Sequence, residues 1–131
     1  MNAAVAAIIR NDEGEVLFTI RRHDPAAGLL DLPGGFVDLG ETAEAAIKRE
    51  IFEEINLEIT RLHYAGTFCN TYLYSGIAYQ TLDMVFECSV ESFEGIQAAD
   101  DVSGYVFRSP VSLLPEEIGL DSIRKIVSEL G

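Results

Sequence analysis

The chain has 131 residues, 48% of them apolar, which suits one folded domain over residues 1–131 and excludes a disordered chain. Nine basic against 22 acidic side chains give a net charge of −13, which repels nucleic-acid backbone and anionic lipid, so neither a nucleic-acid polymer nor a membrane is an expected partner. The same charge offers an anionic substrate no long-range attraction, so something must neutralise it locally, and a bound divalent cation would do so.

Ala3 to Arg10 is an apolar run that reads as a buried strand. It ends in Arg10-Asn11-Asp12 with no basic leader, unlike a secretory signal, so the expected location is the cytoplasm. Asn11 to Gly14 forms a turn, and Glu15 to Arg22 resumes as a strand, which predicts a hairpin. His23 to Leu32 is a loop, Pro33-Gly34-Gly35 a breaker, and Phe36-Val37 short and extended. Thr42 to Ile55 is the clearest helix, with Thr42 as N-cap and Glu44 in the first turn. Asn56 suits the left-handed stop, and Leu57 is expected to fold back on Phe52.

Glu58 to Thr71 and Ala78 to Val90 read as strands around a Ser75-Gly76 turn. An acidic loop, Ser92 to Asp101, precedes a short strand, Val102 to Arg108. Pro110 to Leu114 reads as a helical turn. Leu120 to Leu130 is an amphipathic helix with Ile123, Ile126, Val127 and Leu130 on one side. The pattern predicts an α/β fold, a mixed β-sheet sandwiched between helices. Cys69 and Cys88 lie in apolar stretches without C-x-x-C spacing and are expected to be reduced core residues.

At 100° per residue, Glu50, Glu53 and Glu54 crowd one face of the central helix. Ile47, Ile51, Ile55 and Phe52 lie on another arc that can pack on the sheet. Like charges at these spacings repel by roughly 0.2–0.5 kcal/mol per pair. A solvated face tolerates that, but hard cations such as Mg²⁺ or Mn²⁺ would relieve it, since carboxylates are their natural ligands. Gly34-Gly35 ahead of the helix lets backbone approach a ligand and offers a carbonyl oxygen.

Gly35, Glu41, Arg49-Glu50-Ile51, Glu53-Glu54 and Asn56-Leu57, in this spacing, resemble the Nudix box G-x5-E-x7-R-E-U-x-E-E-x-G-U, with U a bulky apolar residue. Asn56 replaces the usual glycine and removes no ligand. The resemblance implies the Nudix fold and a metal-dependent hydrolase cleaving a phosphoanhydride bond in a nucleoside diphosphate linked to another moiety. It implies that Glu50, Glu53, Glu54 and the Gly35 carbonyl hold Mg²⁺ or Mn²⁺. Arg49 would orient the glutamates, and Glu41 would support the junction of loop and helix. For the general base, Glu53 and Asp101 are both candidates. A homodimer is common among such proteins.

Substrate contacts are expected from Arg22, with Arg21 beside it, and from Tyr74 among the tyrosines that follow Asn70. His23 and His63 receive no role. ADP-ribose enzymes of the family tend to carry proline where this chain has Tyr72, and dinucleoside polyphosphate enzymes tend to carry tyrosine where it has Tyr74. The Leu-Pro-Gly-Gly-Phe-Val-Asp stretch is similar to NADH pyrophosphatase-like Nudix domains, often preceded by a zinc ribbon. No such ribbon occurs here, so a catalytic domain separated from a longer chain is one expectation. The alternative is a non-catalytic Nudix-fold nucleotide-sugar sensor or regulatory domain. Such sensors usually lose box glutamates, and this chain keeps them.

Overall fold

Five consecutive buried residues, Val5 to Ile9, mark the strand around which the layers form. The computed structural model describes residues 1–130, the side chain of Tyr72 aside. Its strands are β1 (Asn2–Ile9), β2 (Val16–Arg21), β3 (Leu30–Asp31), β4 (Gly34–Phe36), β5 (Ile59–Tyr74), β6 (Ile77–Val90) and β7 (Val102–Arg108). Its helices are α1 (Ala43–Ile55) and α2 (Asp121–Ser128). One sheet has the order β4-β1-β6-β5, with β1 parallel to β6 and antiparallel to β4. The other, β3-β2-β7, is antiparallel.

Alternation along β1 divides the core. Val5, Ala7 and Ile9 pack with Ile47, Ile51 and Ile55 of α1. Ala6 and Ile8 pack with Ile123, Ile126 and Val127 of α2. Residues on opposite faces of one strand thus meet different helices, and the result is the α/β/α layering that the sequence predicts. Each isoleucine so buried contributes about 1.5–3 kcal/mol. No helix among the described residues is long and apolar enough to cross a membrane.

Several expectations need correction. The sequence predicts one sheet, but there are two. The Asn11 to Gly14 turn forms, with Asn11 Oδ1 accepting from the Glu13 and Glu15 amides at 3.1 and 2.9 Å. It makes no hairpin, however: beyond one bridge between Arg10 and Val16, β2 leaves for the second sheet. Phe52 is 59% exposed, while Leu57 is buried among Ile51 and Ile55, so the helix stop is sealed by the core and not by Phe52. Cys88 is buried but Cys69 is exposed, because successive strand residues face opposite ways and only one face of β5 is covered there. A second helical turn, Pro115–Glu117, follows the expected one at Pro110–Ser112.

The end of α1 shapes the site. Asn56 adopts φ 57° and ψ 40°, and its amide donates to Phe52 O at 3.0 Å. Its side-chain Nδ2 donates to Gly95 O at 3.0 Å, a bond that glycine would lack. Within the same acidic loop, the amides of Gln97 and Ala99 donate to the carbonyls of Ile55 (3.1 Å) and Glu54 (2.8 Å). The last carbonyls of a helix have no partner within it, and here the loop that ends in Asp101 supplies them.

Candidate active site

Pairing of β4 with β1 sets Val5 opposite Gly35 and Ala6 opposite Gly34, directly under α1. A Cβ at Gly34 would run into the Val5 carbonyl, and one at Gly35 into the Glu50 carboxylate. Glycine is therefore required at Gly34, where the obstacle is backbone, while at Gly35 a side chain would displace the Glu50 carboxylate. The Gly34 amide donates to Glu54 Oε1 at 3.1 Å.

Arg49 organises the outer side of the helix. Its Nε and Nη2 donate to the two carboxylate oxygens of Glu41 at 2.7 and 2.8 Å, a bidentate pair. Nη2 also donates to Phe36 O at 3.0 Å. Nη1 reaches Glu50 at 2.8 Å and Glu53 at 3.2 Å. The Arg49 bonds, helped by the Asp38 amide, hold the Glu41 carboxyl down at about 2. The same contacts, with Glu41 first and Glu50 second, push the Arg49 guanidinium further up.

The inner side is strained electrostatically. Burial, with neighbouring Asp31, Asp101 and Glu50, pushes the Glu54 carboxyl up to about 8 against the single Gly34 bond. Burial also raises Glu50, opposed by Arg49 and reinforced by Glu53 and Asp101. Glu50, Glu53, Glu54, Asp31 and Asp101 thus share one field, and Asp101 joins it because its loop is tied to the end of α1.

Beside them opens a cavity of about 280 Å³. Gly35, Glu54, Asp101 and Arg22 line it. Arg21 also lines the cavity but is paired there, with Asp31 Oδ2 and the Pro25 carbonyl, both at 2.7 Å, and Arg22 is left with no ion pair among the described residues. Glu50 and Glu53 lie on the Arg49 side, and Glu53 is the more exposed, at 58%. Tyr74 is not brought to the cavity. It ends β5 opposite Ile77, at the tip of the β5–β6 hairpin, because β5 runs on past its expected end at Thr71.

Among the described residues no group of three or more acidic, histidine or cysteine side chains already stands in ligand geometry. The chemistry of the donor set nevertheless fits a divalent cation. The oxygens are hard, and the Gly35 backbone approaches Glu50 with no side chain between. The Glu54 charge is opposed by its surroundings, and a cation would reverse that. Arg49 bonds only one oxygen of Glu50 and one of Glu53, which leaves the other oxygen of each able to meet an ion while the bidentate Glu41 pair holds Arg49.

Sequence reasoning missed the rest of the lining. Asn70, Thr81 and Asp83 are buried polar residues on β5 and β6, and Ser122 buries its hydroxyl against Asp83. Their local signal is faint, a polar residue at alternate positions of otherwise apolar strands.

The NUDIX domain model matches residues 1–130, and the chain belongs to that family. It is 48% identical over 54 residues to an ADP-ribose pyrophosphatase of Methanocaldococcus jannaschii, covering 41% of this chain and 31% of that protein. It is 49% identical over 53 residues to an 8-oxo-dGTP diphosphatase of Haemophilus influenzae, covering 40% and 39%. The matched stretches thus span about a third of the curated relatives. A MutT NUDIX hydrolase of Burkholderia pseudomallei shares the fold across 99% of this chain and 98% of its own, with TM-score 0.83 and 23% identity.

Proposed function

We propose that the chain, acting as one domain, hydrolyses a phosphoanhydride bond of a nucleoside diphosphate derivative. The observation that carries this reading is the convergence of Glu50, Glu54 and Asp101 beside a cavity, in a chain of the NUDIX domain family. Two of its relatives are named for cleaving such bonds, one in ADP-ribose and one in 8-oxo-dGTP.

Glu50, Glu53, Glu54 and the Gly35 carbonyl are the residues that would hold Mg²⁺ or Mn²⁺. Such an ion, when bound, neutralises a diphosphate and acidifies water. The chain's own residues do the rest. Arg22 offers the cavity an unpaired guanidinium for a phosphate oxygen. Asp101 lines the cavity and Glu53 does not, which favours Asp101 as the base that takes a proton from attacking water. Arg49 fixes the outer carboxylates through Glu41 and touches no substrate. We also read the substrate as a small nucleotide and the location as the cytoplasm.

The test is release of nucleoside monophosphate from a panel of nucleotide sugars, dinucleotides and nucleoside triphosphates. Turnover with Mg²⁺ that stops in chelator supports the reading. Binding of these compounds without cleavage, with Mg²⁺ and Mn²⁺ alike, would make the chain a nucleotide-binding sensor instead.

A further inference from the structure

The floor of the cavity is built differently from its carboxylate wall. Asn70 and Asp83 are 3% and 6% exposed, and Ser122 is 0% exposed. Ser122 joins the first two: its amide donates to Asn70 Oδ1 at 3.3 Å, and its hydroxyl donates to Asp83 Oδ2 at 2.6 Å. Asp83 Oδ1 accepts from Thr81 Oγ1 at 2.8 Å. Asp83 is thus a buried carboxylate satisfied by two hydroxyls, with no cationic partner among the described residues.

Part of this is structural. The N-cap of α2, Leu120, has no side-chain acceptor, so Asn70 Oδ1 caps the Ser122 amide in its place. That bond also fixes which way the Asn70 amide points. It leaves Nδ2, with two N–H donors, without a partner among the described residues. Among the described residues no unpartnered side-chain nitrogen or oxygen is sealed off, so Nδ2 opens into the cavity that Asn70 lines. Capping explains Oδ1, but it explains neither the free donor nor the carboxylate set beside it.

We propose that Asn70 and Asp83 read the base of the nucleotide, and that they favour a guanine-type edge. Nδ2 of Asn70 would donate to the ring carbonyl. The two Asp83 oxygens, each with a lone pair left, would accept the ring N–H and the exocyclic amino group beside it. Adenine offers one donor and one acceptor, in the reverse order along its edge. It makes fewer bonds and cannot take the same register while its phosphates stay at the carboxylate wall. Two hydroxyl partners hold Asp83 in place, and a site built this way discriminates strongly because a wrong base leaves buried groups unpaired. Leu32, Leu120 and Ile123 supply apolar walls for a ring.

The inference rests on a nucleotide occupying this cavity, and the experiment separates the two readings. kcat/KM is measured with Mg²⁺ for guanosine, inosine and adenosine triphosphates. Binding is measured in parallel with α,β-methylene analogues of the guanosine and adenosine compounds. The wild type should prefer guanosine to adenosine by about tenfold or more, the equivalent of one well-made pairing, with inosine between them. Asp83→Asn should erase the preference. Asn70→Asp keeps the acceptor for the Ser122 amide and removes the free donor, so guanosine should lose about tenfold with little change for adenosine. Equal values for the three bases in the wild type, a preference for adenosine, or variants that lower every base in proportion would overturn it. Preferential binding of the guanosine analogue without turnover would defeat the hydrolase reading and support the base reading. Turnover without base preference would do the reverse.

Discussion

Two walls of one cavity use acids in opposite ways. Along α1, Glu54 lines the cavity with Asp101, Glu50 lies behind it on the Arg49 side, and burial and like charge oppose the charges of both glutamates. On the floor beneath α2, Asp83 is only 6% exposed, yet both its oxygens are met by hydroxyls. A cation would relieve the first arrangement, as the proposed function requires. The second is complete as it stands and offers a rigid, directional surface. A wall that awaits positive charge suits the phosphates of a ligand, and a satisfied polar floor suits the end that must be recognised.

The largest effect that would break this contrast is on turnover. Glu54→Gln keeps the size of the side chain and removes its charge, and should slow hydrolysis on the order of a thousandfold with the fold intact by circular dichroism. Next is the support beneath the wall. Arg49→Lys loses the bidentate grip on Glu41 and should cost about 10–100-fold in kcat, with nucleotide binding to the floor little changed.

A third, smaller effect is on stability against pH in chelator. The Glu54 carboxyl sits at about 8 when folded, against 4.5 ordinarily, so the folded chain binds more protons between those values. Stability from this group is fully present below about 4.5 and is lost as pH rises through 8, at no more than about 1.4 kcal/mol per pH unit. Glu54→Gln should flatten that slope in urea titrations. Glu41, held at about 2, works the other way: its contribution is present above 4.5 and fades as pH falls towards 2. The smallest effect is at the helix stop. Asn56→Ala should cost about 1–2 kcal/mol for forcing a left-handed residue, besides the bond to Gly95, whereas Asn56→Gly loses only the bond.

The same contrast explains what could be read from the sequence. The α1 wall is legible because Arg49, Glu50, Glu53 and Glu54 fall on one helix, where spacing alone decides which side chains are neighbours. The Thr42 cap, the Asn56 stop and the division of apolar residues between two helices follow from equally local rules. The floor is not legible, because Ser122 meets Asn70 from 52 positions away and Asp83 from 39. Nothing local to Tyr74 says that β5 carries it to a hairpin tip, and nothing local to the Asn11 turn says that β2 joins a different sheet. Asp101 falls between these cases. Its place before β7 is visible in the sequence, but its approach to Glu54 depends on backbone bonds from the loop to the end of α1.

The central claim is that the α1 carboxylates are held short of a cation and that Glu54 carries a proton until one arrives. Isothermal titration of Mg²⁺ into the chelator-treated protein at pH 7, in two buffers of different ionisation enthalpy, measures this directly. With the Glu54 carboxyl at about 8, binding should release a substantial fraction of a proton per ion in the wild type, and Glu54→Gln should abolish that release. Binding with no proton release, or the same release in both proteins, would contradict the account.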